Sequence, residues 1–573
     1  MLISLAGLVK PGLLAQTLIS FRPSWGLKMG APREREIIGR GTWVDKVAKE
    51  ILEREERLGR KLPVLRTEMG IGASGIPHLG SFSDAVRAHA VKLALEDMSG
   101  RKAEMIAFAD DMDGLRSVPA GMPRELEEWL GHPVCRIPDP WSCHGSFAEH
   151  VEALLMDAMD ACGLEYKFMA SHEAYGRGLL APQIEAILTR AGQVGQIVAD
   201  TTGSEKYLEA LPYFAICEEC GRIYTTRAYA FDPKTDRVAY RCEGAEIKGR
   251  WLEGCGHEGE ADIKTDDGKL AWVAGEFAAR WAALKICFEA YGKDIEVSVW
   301  SNDRICREIL GFEPPYHVRY ELFLDKHGRK LSKSRGNVLT PQMWLRYGPP
   351  QSLMLLMLKR FVGARKLDIS DVPKYVDELD RLEQIYFGLK EVEDEFERAK
   401  LRGLYEYVWN LRPPKEPTGV YVPYNLLAYL ASVAPEGSEE EYVLSCLRAY
   451  GYLRKGQPAP ERLVQKIRYA IRWAKDFGIQ VVEREIERVE MTETEREAVL
   501  ALADFLREER QGQEVQNAIF EIARSHGLKP ADFFKLLYRI LLGMPRGPRL
   551  GPYIARVGCR KVAELLKTAV EER

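Results

Sequence analysis

The chain predicts an α/β fold, a doubly wound parallel sheet followed by an all-helical C-terminal region. Three observations carry that expectation. Apolar strand-like runs alternate with amphipathic helical stretches from Thr42 to about residue 350, the pattern of βαβ units. Beyond Gln351 the periodicity is helical nearly to the end, with charged heptad-like stretches at 375–401 and 483–510. The composition is globular, 46% apolar and 29% charged over 573 residues, which excludes a disordered chain. At about 150 residues per domain the length suggests roughly four domains.

The elements follow in order. Residues 1–33 hold Lys10, Arg22, Lys28 and Arg33 and no acid. Lys10-Pro11 interrupts the apolar stretch and no small-residue cleavage site stands out. A start called too early, with Met29 as the real start, is therefore preferred to a transit or signal peptide for the extension 1–40. A helix is expected at 44–55, a strand at 63–68, a glycine-rich turn at 70–75, a helix at 78–96 and a strand at 102–109. Further helices are expected at 147–163 and 182–191, with a strand at 165–170. Residues 213–265 are short, polar and cysteine-bearing, and mark an insertion that extends over 120–265. A helix at 277–291 and strands at 295–299 and 320–324 resume the alternation and close a catalytic domain over 41–350. A junction at 351–385 and a helical domain at 386–573 follow.

No run of about 20 apolar residues is present, so no membrane span is expected. The net charge of −4 gives no hint of a nucleic-acid partner. Eleven cysteines are few and unevenly placed, which argues against a secreted disulfide scaffold. The expectation is a cytoplasmic protein.

The stretch Ala73-Ser74-Gly75-Ile76-Pro77-His78-Leu79-Gly80-Ser81 lies between a predicted strand and helix, where an α/β sheet places its ligand crevice. A helix N-terminus offers N–H groups and a positive dipole end to an anion. Gly75 and Gly80 would let a backbone or flat ring approach, and His78 could donate to a phosphate. A second segment, residues 325–337, follows a predicted strand. Five of its residues are Lys or Arg, and Gly328 and Gly336 bracket it as hinges. Such a loop, carrying Lys330, Ser332 and Lys333, can neutralise a triphosphate during in-line displacement.

Two clusters have metal-ligand spacing. Asp139-x3-Cys143-His144-x5-His150 supplies one carboxylate, one thiolate and two imidazoles, a set that suits tetrahedral Zn²⁺. Cys217-x2-Cys220 has zinc-knuckle spacing and is followed by Cys242 and Cys255-Gly256-His257. That is one ligand too many for a tetrahedral site, so either Cys255 or His257 completes it. Cys162, Cys287, Cys306 and Cys446 lie in apolar helical settings and are expected to be core residues.

His78-Leu79-Gly80-Ser81 resembles the first signature of class I aminoacyl-tRNA synthetases, and Lys330-Leu331-Ser332-Lys333-Ser334 resembles the second. Within that class the chain is similar to the class I lysyl-tRNA synthetases. The likeness is carried by 73–82, Asp110-Asp111-Met112-Asp113, Ile137-Pro138-Asp139-Pro140, Gly292-Lys293-Asp294 and Gly547-Pro548-Arg549-Leu550-Gly551-Pro552, and spans about Thr42 to Arg573. The resemblance implies a Rossmann-like catalytic domain and a helical anticodon-binding domain. It implies ATP with Mg²⁺, one or two structural Zn²⁺ ions, and L-lysine and tRNA(Lys) as partners. It implies formation of lysyl-adenylate and transfer of the lysyl group to the terminal adenosine of tRNA.

His78, Lys330 and Lys333 are then expected to be catalytic, with Ser74, Gly75, Gly80, Ser81 and Ser332 beside them at the nucleotide. The lysine pocket would draw on Glu68 at a strand end, Gly70 and Gly72 near the α-amino group, Asp84 for the ε-ammonium, Phe277 as an aromatic wall, and Asp294. The family's fourth ligand at the second metal cluster falls in a Gly-His-Glu-Gly stretch, here Gly256-His257-Glu258-Gly259. The residues between Cys242 and Cys255 look partly inserted. Some members carry Glu at the position of Asp84 and His at that of Ile295; the family often shows an Asp-Trp-Pro stretch before the Arg280-Trp281 pair and usually has Pro at the position of Ala73. Those departures leave two competing readings: a paralogue that binds tRNA or an amino acid without charging, and a class I ligase for another amino acid. Lys359, Arg360, Arg365 and Lys366 form a basic junction that could track a tRNA backbone, and Arg546-Gly547-Pro548-Arg549 is another basic turn.

Overall fold

A computed structural model describes residues 36–119, 121–321, 323–324, 339–360, 365–454, 456–477, 489–542 and 547–571. Ile38–Arg573 form one compact unit; Met1–Ile37 form another, of which only Glu36 and Ile37 are described. Lys330, Ser332 and Lys333 lie outside the described residues.

Five parallel strands make the central sheet: β1 Leu65–Ile71, β2 Ala103–Ala109, β3 Lys167–Ala170, β4 Ile286–Gly292 and β5 Tyr316–Tyr320, in the spatial order β5-β4-β1-β2-β3. Every residue of β2 and β4 is buried, as expected of strands covered on both faces. The strand order reverses between β1 and β4, so the ligand crevice of this topology opens at their carboxyl ends. Helix α1 Trp43–Arg57 starts from a capping box, Thr42 with Asp45. Helix α2 Leu79–Ser99 runs from the crevice along the sheet, is buried over most of its length, and ends at Gly100 in the left-handed conformation that glycine accepts without strain.

Three expectations are corrected. The helix predicted at 277–291 is helix α3 Glu276–Leu284 followed by β4, with Lys285 at φ +56° ending the helix. The apolar run carried no Gly or Pro between helix and strand, and periodicity alone could not divide it. The strand predicted at 295–299 is the start of helix α4 Glu296–Glu308; its alternating Ile295, Val297 and Val299 mimic a strand, but packing decides. The proposed insertion over 120–265 is interrupted, because β3 returns to the central sheet. What stands apart is a set of small antiparallel strands, Thr226–Asp232 with Arg237–Cys242 and Glu258–Asp262, and a hairpin of Gly244–Ile247 and Arg250–Glu253.

After Pro350 the described chain is almost entirely helical. The stretch predicted as helical at 375–401 divides into Val372–Tyr386 and Glu395–Val408, separated where Gly388 takes φ +71°. These helices are stitched to the start of the unit. Tyr407 donates to Asp45 Oδ1 (2.8 Å) and Arg40 pairs with Glu406. A Cβ on Gly403 would fall 2.2 Å from the Arg40 carbonyl oxygen, so the backbones approach as only glycine allows. No described helix is long and apolar enough to cross a membrane.

Candidate active site

A cavity of about 500 Å³ opens at the carboxyl ends of β1 and β4. His78 forms its edge as the N-cap of α2. Its Nδ1 accepts from Gly80 N (2.9 Å) and Ser81 N (3.3 Å), which leaves the proton of a neutral ring on Nε2 as a donor. Gly80 is needed for this: a Cβ there would lie 2.5 Å from His78 Cε1. The spacing expected to admit a substrate ring therefore admits the protein's own imidazole. Leu79 N bonds to Leu339 O (3.0 Å) and Phe82 N to His78 O (3.2 Å), so the first N–H groups of α2 are already taken. The expectation that those N–H groups meet an anion is therefore corrected. Leu339 directly follows 325–338, and Phe323, just before that segment, lines the cavity. One flank of the basic segment thus borders the opening and the other meets the first residue of α2.

Ser74, Gly80, Ser81, Gly70, Gly72, Asp84, Phe277 and Asp294 are on the cavity wall; Gly75 is buried in the turn behind it. Glu68, expected at the pocket, is fully buried and faces Arg280 Nε at 2.8 Å. Arg280 also donates to Asp110 Oδ1 (2.8 Å) and reaches within 3.9 Å of Glu289. Trp281 Nε1 donates to Glu289. Nearby, buried Lys269 bridges Asp113 (2.5 Å) and Glu276 (2.8 Å). Five carboxylates thus crowd around Arg280 and Lys269. Burial pushes Glu68 and Glu276 up to about 8, against the pull of Arg280 and Lys269 respectively. Such a floor favours an added cation.

Asp84 sits on the second turn of α2, partly buried, 4.0 Å from Arg87 Nη1 and hydrogen-bonded to Tyr320. Burial raises it to about 7. The Arg87 guanidinium lies 4.1 Å from the Tyr320 ring centroid and so fixes that ring. Phe277 packs on Trp272, ring centroids 5.3 Å apart, and both line the cavity. Trp272, Glu289, Tyr320, Arg116 and Lys248 are wall residues that sequence reasoning did not single out. Of these only Tyr320, the last residue of β5, stands at a strand end.

The metal-type clusters assemble from the chain's local geometry. Cys143 Sγ lies 3.2 Å from both His144 Nδ1 and His150 Nδ1 and 3.3 Å from Asp139 Oδ2. Asp139 is pinned by the backbone N–H groups of Cys143 and His144, both 2.9 Å away. In the second cluster Cys217 and Cys255 are 3.5 Å apart and Cys220 and Cys242 3.8 Å. With metal–ligand bonds of about 2.0–2.3 Å, tetrahedral ligands stand roughly 3.3–3.8 Å from one another, so both sets fit a tetrahedral ion. His257 does not join: its Nε2 pairs with Glu218 Oε1 at 2.6 Å, and Cys255 completes the set. A third convergence, Asp111, Cys135 and His172, has its carboxylate occupied by Ser171 Oγ (2.6 Å) and His172 N (2.9 Å).

The basic junction is only partly available. Arg365 donates to the Leu356 carbonyl and lies over Phe323, and Lys359 pairs with Glu378; Arg360 and Lys366 are exposed.

The family described as tRNA synthetases class I (K) matches residues 41–409. A lysine–tRNA ligase of Cenarchaeum symbiosum is 47% identical over 532 residues, covering 93% of this chain and 99% of that protein. A lysine–tRNA ligase of Rickettsia bellii (strain OSU 85-389) is 30% identical over 533 residues, covering 92% and 97%.

Proposed function

The chain belongs to the class I tRNA synthetases, and from that premise we propose that it is an ATP-dependent lysine–tRNA ligase of the cytoplasm. The observation that supports the amino acid best is the acidity of the cavity wall, lined by Asp84, Asp110, Asp113, Glu289 and Asp294, with buried Glu68 and Glu276 paired to Arg280 and Lys269. That wall suits a substrate with two ammonium groups. Asp84 and Tyr320 take the ε-ammonium, Phe277 and Trp272 cover the aliphatic stem, and the backbone at Gly70 and Gly72 faces the α-amino group.

In the first step a lysine carboxylate oxygen attacks the α-phosphorus of ATP. The bond to the bridging oxygen breaks, and pyrophosphate leaves with the electron pair. The chain contributes position and charge. His78 donates from Nε2 to a phosphate oxygen, with the α2 dipole behind it, and Ser74 and Ser81 stand beside it. Lys330 and Lys333 stabilise the charge that builds on the leaving group, with Mg²⁺ accompanying the nucleotide. In the second step a hydroxyl of the terminal adenosine of tRNA(Lys) attacks the lysyl carbonyl, and AMP departs. The helices after residue 386 read the anticodon, and the exposed Arg360 and Lys366 follow the backbone between the two ends. Cys217, Cys220, Cys242 and Cys255 would hold one structural Zn²⁺, and Asp139, Cys143, His144 and His150 a second.

ATP–pyrophosphate exchange across the twenty amino acids, with and without tRNA, tests the reading. Exchange with lysine alone supports it. Exchange with a different amino acid, or tRNA binding with no exchange under either condition, overturns it.

A further inference from the structure

The hairpin between Cys242 and Cys255 reaches the cavity. Gly244 pairs with Glu253 and Ile247 with Arg250, so Lys248-Gly249 is a two-residue turn. Both residues have positive φ, +50° and +79°, the conformation of a type I′ turn, for which asparagine and glycine are the favoured residues. Lysine at the first position puts a Cβ in the left-handed region at a steric cost that those residues escape. An outlier of this kind is a pointer to function when its side chain enters a site.

Lys248 does so. It lines the same cavity as His78 and Ser74, next to Arg116. Its Nζ donates to Ser117 Oγ at 2.8 Å, so among the described residues its hydrogen-bond partner is a neutral hydroxyl. Arg116, by contrast, is engaged by Tyr224 (3.1 Å) and faces Asp113 at 3.9 Å. The hairpin is seated firmly enough to hold an ammonium in place. Leu252 is buried in the small cluster that includes Leu115 and Leu126, Ile247 packs against it, and Arg222 Nη1 donates to Glu253 O at 2.9 Å.

We propose that Lys248 is a phosphate-binding residue of the catalytic cavity, delivered by this hairpin to a phosphate of ATP or to the phosphodiester at the 3′ end of tRNA. The proposal rests on the ligase reading, and its test separates the two. Lys248→Asn suits the turn better than lysine and removes the ammonium with its stem; Lys248→Arg restores a cation of similar reach. Full-length protein is compared by thermal melting, by equilibrium binding of ATP and of tRNA(Lys), by pyrophosphate exchange and by tRNA charging.

The expected result is a melting temperature no lower than wild type with a loss of about tenfold in one substrate constant, largely recovered by arginine. A rise in the ATP constants identifies the triphosphate as the ligand. Unchanged ATP constants with weaker tRNA binding or charging identify the tRNA terminus. Wild-type constants within about twofold for both substrates in Lys248→Asn overturn the proposal, even where lysine exchange upholds the ligase. A wild-type protein that fails to exchange with lysine while Lys248→Asn still weakens ATP or tRNA binding overturns the choice of lysine and leaves the phosphate role standing.

Discussion

The floor of the cavity and its rim handle charge in opposite ways. The floor and the layer beneath it are built from strand ends and α3, and their charges are mutually paired and, Asp113 apart, buried: Arg280 with Glu68 and Asp110, Lys269 with Asp113 and Glu276. The rim is built from the start of α2, the 114–119 loop and the tip of a hairpin, and its His78, Arg116 and Lys248 are at least partly exposed. A crevice that must hold a cationic amino acid and a polyanionic nucleotide at bonding distance needs such a division. Pairing with Arg280 and Lys269 holds the acids in place, and Asp113, 3.9 Å from Arg116, links floor to rim. Leaving the rim on loops lets it follow a larger substrate.

Breaking the floor has the largest expected effect. Arg280→Met leaves Glu68, Asp110 and Glu289 without their shared cation in a buried site, and removing one partner of such a set costs about 3–5 kcal/mol; urea denaturation measures it. Next comes the rim. His78→Ser keeps a side-chain oxygen to cap α2 and removes the Nε2 donor. Exchange rates should fall by about 10²–10³-fold with little change in melting temperature, whereas equal losses in stability and rate would make His78 a structural cap only.

At the border between floor and rim, Asp84→Asn should raise KM for lysine by about 10–100-fold, in line with the loss of one charge-assisted contact, and leave KM for ATP unchanged. Burial has raised Asp84 to about 7. Near neutrality the protonated form therefore competes with the ion that an ammonium requires. KM for lysine should fall as pH rises through 7 in the wild type and stay flat in the Asn variant. The smallest effect on rate is expected at the base of the hairpin. Cys255→Ser should lose one equivalent of bound metal by elemental analysis and weaken charging a few-fold, because the rim hairpin loses its clamp. His257→Ala should keep the metal, since that ring pairs with Glu218.

How much of this was legible depended on how far apart in the chain the partners lie. The convergence of Asp139, Cys143, His144 and His150 was readable because the four fall within twelve residues. At the second cluster two ligands two residues apart competed. The choice was made by the fold: the Cys255 backbone N–H points at Cys242 Sγ (3.4 Å), while the His257 ring turns to Glu218 and Tyr240. Glu68 read as a pocket acid because it stands near a strand end. Nothing local announces that Arg280, more than two hundred residues later, will occupy it. His78 and Gly80 were recognised as a pair, but the mechanism of the pairing, a ring filling the space a Cβ would take, is three-dimensional. The exchange of helix and strand around Lys285 failed because an apolar run with no breaker is compatible with either.

The contact of Arg40, Asp45 and Gly403 has a consequence for how the molecule can be taken apart. The helix Glu395–Val408 is the seat on which the first turn of α1 rests, and Asn410 and Arg412 reach back to Cys162 and Glu165. The α/β half and the helical half therefore have no clean seam near residue 350. A separable module must carry the chain to about residue 412, and any joint for grafting a different distal domain lies beyond that point.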